Sequence, residues 1–368
     1  MVFICEKSEI YEAISNVSKA TAERSSIACL EGIKLTLKGN VLTLTAYDLE
    51  IGIETDITVR SQDVGSFVLN ARLFADIVKR MPAENITVEI SDNLQVKISG
   101  GATEYKIAAI SAQEYPELPS ADECESISVQ QSVLKSMISK TLFATAQTDM
   151  KPILKGELFD IKDGVFNLVA LDGHKLAVRT EPIKTDKEYK FVVPAKTLNE
   201  IARMLKEEDG NVCEIKVAKK HIIFEFSGYT VYTRVLEGEF HPYKNAIPSE
   251  SAITVIVETK KLIDSLERTM LLINERMNSP VKFLFENGQI DISCTTSIGN
   301  INEVLDAEMK GPMLKIGFNC KYMLDTLKAS GDEKVKMLFN GSQMPLKMVP
   351  AGNSSEYTYL VLPMRLQN

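Results

Sequence analysis

The side chains with which this chain could do chemistry are few. It has three histidines, His174, His221 and His241, and six cysteines, Cys5, Cys29, Cys124, Cys213, Cys294 and Cys320. Asp172-Gly173-His174 has the residue types of an acid–base pair or the start of a metal site. An aspartate and a glycine side by side make a tight turn equally well. No Gly-x-Ser-x-Gly, His-Glu-x-x-His, Gly-x-Gly-x-x-Gly or phosphate-binding loop occurs, so no catalytic residue, metal or cofactor is expected. The cysteines never fall at Cys-x-x-Cys spacing, which fits reduced thiols in packed positions rather than staples or a zinc site.

What the chain does repeat is a cationic helix. Phe67 to Met81 (FVLNARLFADIVKRM) recurs at Phe191 to Leu205 (FVVPAKTLNEIARML) and again at Ile316 to Ser330 (IGFNCKYMLDTLKAS). The three starts lie one domain's length apart, which reads as three tandem copies of one fold rather than a solenoid. Arg72, Lys196 and Lys321 hold equivalent positions, and Lys79, Arg203 and Lys328 follow seven residues on, where they share a helix face. One acid stands between each pair: Asp76, Glu200 or Asp325. A solvated face with i,i+4 ion pairs explains any one helix, whereas agreement in three copies points to a common partner.

The elements that must position these helices repeat as well. Leu73, Phe74, Ile77 and Val78 form an apolar stripe beneath the first cationic face. Each copy opens with another helix, over Ser8 to Ala20, Ser132 to Ala144 and Lys261 to Ile273, and a hairpin follows, turning at Gly39-Asn40, Asp163-Gly164 or Asn287-Gly288. After the cationic helix comes a second strand pair, Ile86 to Ile90 with Leu94 to Ile98 in the first copy, then a closing strand, Tyr105 to Ile110, Tyr229 to Leu236 or Tyr357 to Leu362. The expected unit is helix, hairpin, strand, helix, hairpin, strand, an α+β fold with helices on one face of antiparallel strands. Domains are expected over 1–122, 123–249 and 250–368, with the proline-bearing stretches Tyr115 to Ser120 and Phe240 to Ser249 as linkers. Joining such units edge to edge leaves one open sheet edge at each end of the chain, and two chains closing a ring would hide all of them.

Composition narrows the partners. Among 368 residues, 45% are hydrophobic and 25% charged, as in ordinary globular proteins, and the net charge is −8. That charge argues against gripping nucleic acid over the whole surface and confines any such contact to a local basic face. The opening MVFICEKSEI reaches Glu6 and Lys7 before an apolar core forms, so no signal peptide is expected. No apolar run approaches the ~18 residues of a membrane span, and a cytoplasmic protein without membrane contact is expected.

Several stretches together resemble the bacterial sliding clamps, the beta subunits of the DNA polymerase III holoenzyme. They are Asp48-Leu49-Glu50, Glu114-Tyr115-Pro116, Leu171 to Val178 (LDGHKLAV), Phe318 to Tyr322 (FNCKY) and Tyr359 to Leu366 (YLVLPMRL), and they span all three repeats. The resemblance implies the DNA clamp fold, with two chains forming a six-domain ring as a homodimer. It implies a non-catalytic processivity factor for DNA replication that encircles duplex DNA without reading its sequence, at the nucleoid and replication fork. Weak contacts suit such a ring, because topology holds it. Partners would be the replicative polymerase, the clamp loader and repair proteins, each offering a short peptide.

Carried over by motif, the peptide cleft would be walled by Leu154, Leu171, Gly173, His174, Lys175, Leu176, Pro242, Ala246, Leu360, Leu362, Pro363, Met364 and Arg365. Apolar walls with a few orienting polar groups suit a Leu/Phe anchor. His241 between Phe240 and Pro242, and Lys151-Pro152-Ile153, depart from the family's usual pattern. DNA contacts would fall on Arg24, Arg72, Lys79, Lys151, Lys196 and Arg203, and the dimer contact on Tyr105 and Ile107 against Leu271 and Leu272. The alternative is a three-domain interaction scaffold that never touches DNA.

Overall fold

The computed structural model describes residues 1–119, 125–148, 151–273, 279–352 and 356–366. Cys124 and Ser120 lie outside the described residues. The first repeat runs β1 (Val2–Glu6), α1 (Lys7–Val17), β2 (Gly32–Lys38), β3 (Val41–Tyr47), β4 (Ile51–Thr58), β5 (Val64–Asn70), α2 (Ala71–Arg80), β6 (Asn85–Ile90), β7 (Gln95–Gly100), β8 (Thr103–Ala108) and a two-residue β9 (Ile110–Ser111). The second runs β10 (Glu125–Gln130), α3 (Gln131–Thr141), β11 (Gly156–Lys162), β12 (Val165–Leu171), β13 (Lys175–Pro182), β14 (Tyr189–Pro194), α4 (Ala195–Met204), β15 (Val212–Val217), β16 (His221–Phe226) and β17 (Tyr229–Arg234). The third runs β18 (Ile253–Glu258), α5 (Thr259–Met270), β19 (Val281–Glu286), β20 (Gln289–Thr296), β21 (Gly299–Asp306), a short β22 (Glu308–Lys310), β23 (Leu314–Phe318), α6 (Cys320–Ser330), β24 (Lys334–Phe339), β25 (Leu346–Pro350) and β26 (Tyr357–Val361).

Each repeat is therefore two βαβββ halves, richer than the expected unit by two strands. One extra strand (β1, β10, β18) precedes the first helix, and the other (β4, β13, β21) extends the first hairpin. The first kind alternates buried and exposed residues, with Phe3 and Cys5 or Ile127 and Val129 inward. It runs into its helix with no glycine or proline between, so punctuation does not mark it. The expected hairpin turns do form. Asp163-Gly164 and Asn287-Gly288 have both residues at positive φ, as a two-residue turn matching strand twist demands.

The halves interlock. The opening strand of each repeat pairs with the second half and the fifth strand pairs with the first, so β1 joins β6 while β5 joins β2. Two compact units result, one of residues 1–135 with 200–235 and one of 136–199 with 236–368. The first holds a four-stranded sheet β1-β6-β7-β8 and a nine-stranded sheet β10-β15-β16-β17-β4-β3-β2-β5-β9. The second holds β14-β11-β12-β13-β26-β25-β24-β18-β22 and β21-β20-β19-β23. The division falls inside the second repeat because each of its half-sheets continues into a neighbouring repeat, through β17–β4 or β13–β26.

In the first unit α1 packs on α2, and in the second α5 packs on α6. Phe74, Ile77 and Val78 of α2 are buried as expected, but Leu73 is 46% exposed. Asn70 caps α2 by accepting from the Leu73 amide, and Asn319 caps α6 by accepting from Lys321 and Tyr322. The proline-bearing stretches are packed rather than loose. Tyr115 is buried and its hydroxyl accepts from the Tyr47 amide at 3.0 Å, while Phe240 and Tyr243 are buried in the second unit.

Candidate functional site

Four of the expected cleft residues meet in one apolar cluster of the second unit. Leu154, Leu171, Leu176 and Leu360 pack there with Val178, Val192, Phe240 and Tyr243, and Ile153 and Ile247 flank it. The strands explain the convergence. Leu171 ends β12, Leu176 pairs with it across the turn, and Leu360 of β26 lies opposite Leu176 across the joint. Beneath them β11 and β14 come so close that a methyl group at Gly156 would collide with the Val193 carbonyl and the side chains of Val192 and Leu236. Pro242 and Ala246 are exposed and outside this cluster. The side chains that reach it from that segment are Phe240, Tyr243 and Ile247, which the motif comparison missed. Their apolar character amid polar neighbours was the available signal. The Tyr243 hydroxyl donates to Asp160 at 2.7 Å, and burial followed by that carboxylate pushes its pKa up.

The cleft rim is built from the Asp172 turn and the end of β26. Gly173 sits at φ 92°, a backbone that glycine adopts without strain. Asp172 Oδ1 accepts from the amides of His174 and Lys175, each at 2.8 Å. The His174 carbonyl accepts from the Leu362 amide at 2.9 Å and the Gly317 carbonyl from the Met364 amide at 2.8 Å, which fixes the tail from Leu362 to Met364. Leu362 is 42% exposed, Pro363 and Met364 are partly buried, and Arg365 is exposed. His174 is exposed and stacks on Tyr322 of α6 at 5.6 Å between ring centres. Lys175 is the exception among the expected wall residues. It is 8% exposed and faces away from the apolar cluster, its ammonium donating to the Phe143 carbonyl at 3.0 Å.

All six expected DNA contacts are exposed: Arg24, Arg72, Lys79 and Arg203 in the first unit, Lys151 and Lys196 in the second. The acids between the repeated cations are not disposed alike. Asp76 pairs with Arg80 at 2.6 Å, one residue beyond the repeated Lys79. That hydrogen-bonded guanidinium pulls its pKa down. Glu200 pairs with Arg203 at 3.1 Å. Asp325 leaves its own helix and lies 3.8 Å from Lys175. Lys328 turns to Glu267 of α5 at 2.7 Å.

Each unit ends in a strand with no outer neighbour among the described residues, β8 in the first and β21 in the second. Tyr105 on β8 is 36% exposed and Ile107 half-buried. Leu271, just past α5, is 80% exposed, and Leu272 is half-buried with a methyl near Gly299 of β21.

A module repeated three times, with interlocked βαβββ halves and an apolar cleft on one joint, defines a protein of the three-domain DNA clamp fold. Sequence profiles of the DNA polymerase III beta subunit match throughout: the N-terminal domain over residues 1–119, the central domain over 128–242 and the C-terminal domain over 244–365. The beta sliding clamp of Halalkalibacterium halodurans is 32% identical, over 99% of this chain and all of that protein, and that of Bacillus subtilis is 30% identical over the same shares. The crystal structure of the Bacillus subtilis DNA polymerase sliding clamp superposes with a TM-score of 0.95 at 29% identity, covering 100% of both chains. That of the Pseudomonas aeruginosa DNA polymerase III beta subunit gives 0.93 at 26%, again over 100% of both. The chain belongs to the DNA polymerase III beta subunit family, the bacterial sliding clamps.

Proposed function

We propose that two copies of this chain close a six-domain ring around duplex DNA and act there as a replication processivity factor, an accessory subunit with no catalysis of its own. The observation that carries this is that two of the sheet edges, β8 and β21, are equivalent to strands that elsewhere join repeat to repeat. β8 is the counterpart of β17 and β26, and β21 of β4 and β13, the strands that join one repeat to the next. A second chain supplies the missing neighbour to both ends, with Tyr105 and Ile107 meeting Leu271 and Leu272 of the second copy. Domains of 1–122, 123–249 and 250–368 suit this arrangement. Exposed Arg24, Arg72, Lys79, Lys151, Lys196 and Arg203 would touch phosphates without regard to sequence. The cleft over Leu154, Leu171, Leu176 and Leu360 would receive short peptides from the polymerase, the clamp loader and repair proteins. Among the described residues no helix is long and apolar enough to cross a membrane, and a cytoplasmic role at the replication fork agrees with that. Loading onto nicked circular DNA followed by linearisation tests the ring: the protein should leave over the new ends. Stable retention on the linear form would favour the three-domain scaffold instead.

A further inference from the structure

Lys175 follows the cleft turn directly, yet its geometry is that of a strut. Side chains alternate along β13. Leu176 and Val178 enter the cleft cluster, whereas Ala177 enters the core shared with the third repeat, so Lys175 lies on the face away from the cleft. Its ammonium is 3.0 Å from the Phe143 carbonyl, 3.5 Å from Asp172 Oδ2 and 3.8 Å from Asp325 Oδ2, and stands 4.8 Å from the centre of the Tyr322 ring. Asp325, unlike Asp76, reaches off its own helix. Tyr322, one turn before it on α6, carries the stacked His174.

We infer that Lys175 is a positioning residue for the peptide cleft, holding the Asp172-Gly173-His174 turn against α6 through Asp325 without touching the peptide. The inference rests on the cleft reading above. Asp172 uses one oxygen to fix the turn's amides and presents the other to Lys175. Without the ammonium, Asp172 and Asp325 would face each other as like charges with nothing between them, and such a pair repels. The turn would yield, and the Leu362 amide held by the His174 carbonyl would move with it.

The test compares Lys175→Met, Asp325→Asn, the double variant and the charge-keeping Lys175→Arg in the full-length protein. A fluorescein-labelled peptide ending in Leu-Phe reports affinity, and the ring-carbon-labelled His174 resonance, recorded without peptide, reports the turn. Lys175→Met should weaken the peptide roughly tenfold and the double variant no further, the non-additivity expected of residues acting as one unit. Both single variants should also shift the His174 resonance toward that of an unstacked histidine, and Lys175→Arg should largely restore both readings. Leu176→Ala should weaken the peptide without moving the resonance. Affinity within twofold of the parent for Lys175→Met, additive losses, or an unmoved His174 resonance would each overturn the inference. An unchanged affinity for Leu176→Ala would instead count against the cleft itself, and the resonance would still decide whether Lys175 positions the turn.

Discussion

Glu157 shows how one residue can tie stability to pH. It lies on β11 with no exposed surface, and its Oε2 has no hydrogen-bond partner. Its Oε1 is 2.9 Å from the Thr141 hydroxyl, which is itself 2.8 Å from the Met137 carbonyl. That hydroxyl has one proton to give. If Glu157 carries a proton it donates to Thr141, and Thr141 donates to Met137, so both links are made; an ionised Glu157 must take the hydroxyl proton, and the link from Thr141 to the Met137 carbonyl is lost. Burial, partly offset by Thr141, raises its pKa well above the ordinary carboxylate range. Above the unfolded-state value of ~4.3 the folded chain therefore holds a proton that the unfolded chain has lost, and stability falls as pH rises, by at most ~1.4 kcal/mol per pH unit, until the folded group also ionises. Glu157→Gln should thus have nearly the parent's melting temperature at pH 5 and exceed it at pH 8. Calorimetric scans across that range check this, and a constant difference would refute it.

At the scale of elements, what could be read in advance depended on whether a feature repeats in residue type or only in space. The cationic helices were legible because their turns, stripes and charges recur, and the three helices that open the repeats begin within two residues of where periodicity put them. Periodicity carried α1 and α3 to Ala20 and Ala144, but the α-helices stop at Val17 and Thr141, followed by single 3-10 turns. The strands β1, β10 and β18 were not legible, because they pair with distant segments and run straight into a helix, whereas β4, β13 and β21 pair with the strand just before them and, at Asp172-Gly173, follow a turn whose types suited a chemical pair equally well. In the cleft the leucines followed from motif. Lys175 did not, since its neighbours suggest a wall and only the alternation along β13 turns it away. Phe240 and Tyr243 sat in a stretch whose prolines drew attention to its ends rather than to its packed side chains.

The ladders also fix a register for the proposed joint between chains. Counting from Phe3 through Val88 and Ile98 leads to Tyr105, and the same steps lead to Val231 and Tyr359 in the other repeats. Counting back from Thr58, Pro182 and Asp306, which oppose the first residue after equivalent turns, gives Ile53, Ala177 and Ile301. Both internal joints pair these counterparts, Val231 with Ile53 and Tyr359 with Ala177. The joint between chains should then set Tyr105 opposite Ile301 of the second copy and Lys106 opposite Asn300. Directly opposed residues of an antiparallel pair have Cα atoms about 4.5–5.5 Å apart, within disulfide reach. Lys106→Cys with Asn300→Cys should form a covalent dimer on mild oxidation. Lys106→Cys with Asn302→Cys, displaced by about 7 Å along the strand, should not, and equal cross-linking of both pairs would rule out this register.

For the whole molecule the net charge of −8 and the sparse cations pose one question, what keeps such a protein on DNA. A conventional binder depends on displaced counterions, and its affinity drops steeply with salt in proportion to the phosphates it neutralises. A closed ring depends on them only while it is being placed; afterwards escape requires a DNA end or an opened joint. Loading and retention should therefore separate. In the dimer, Arg24→Ala, Arg72→Ala and Lys79→Ala together remove about six cations, each of which contributes about 0.9 to the salt slope if it neutralises a phosphate. The triple variant should load poorly and lose loading at lower salt than the parent. Once on a closed circle, its half-life there should equal the parent's and stay nearly constant as salt is raised, while on linear DNA both should leave quickly. Retention on closed circles, followed by gel filtration at increasing salt, distinguishes the cases: a half-life on circles that falls with salt as steeply as loading does would mean that charge, not closure, holds the protein in place.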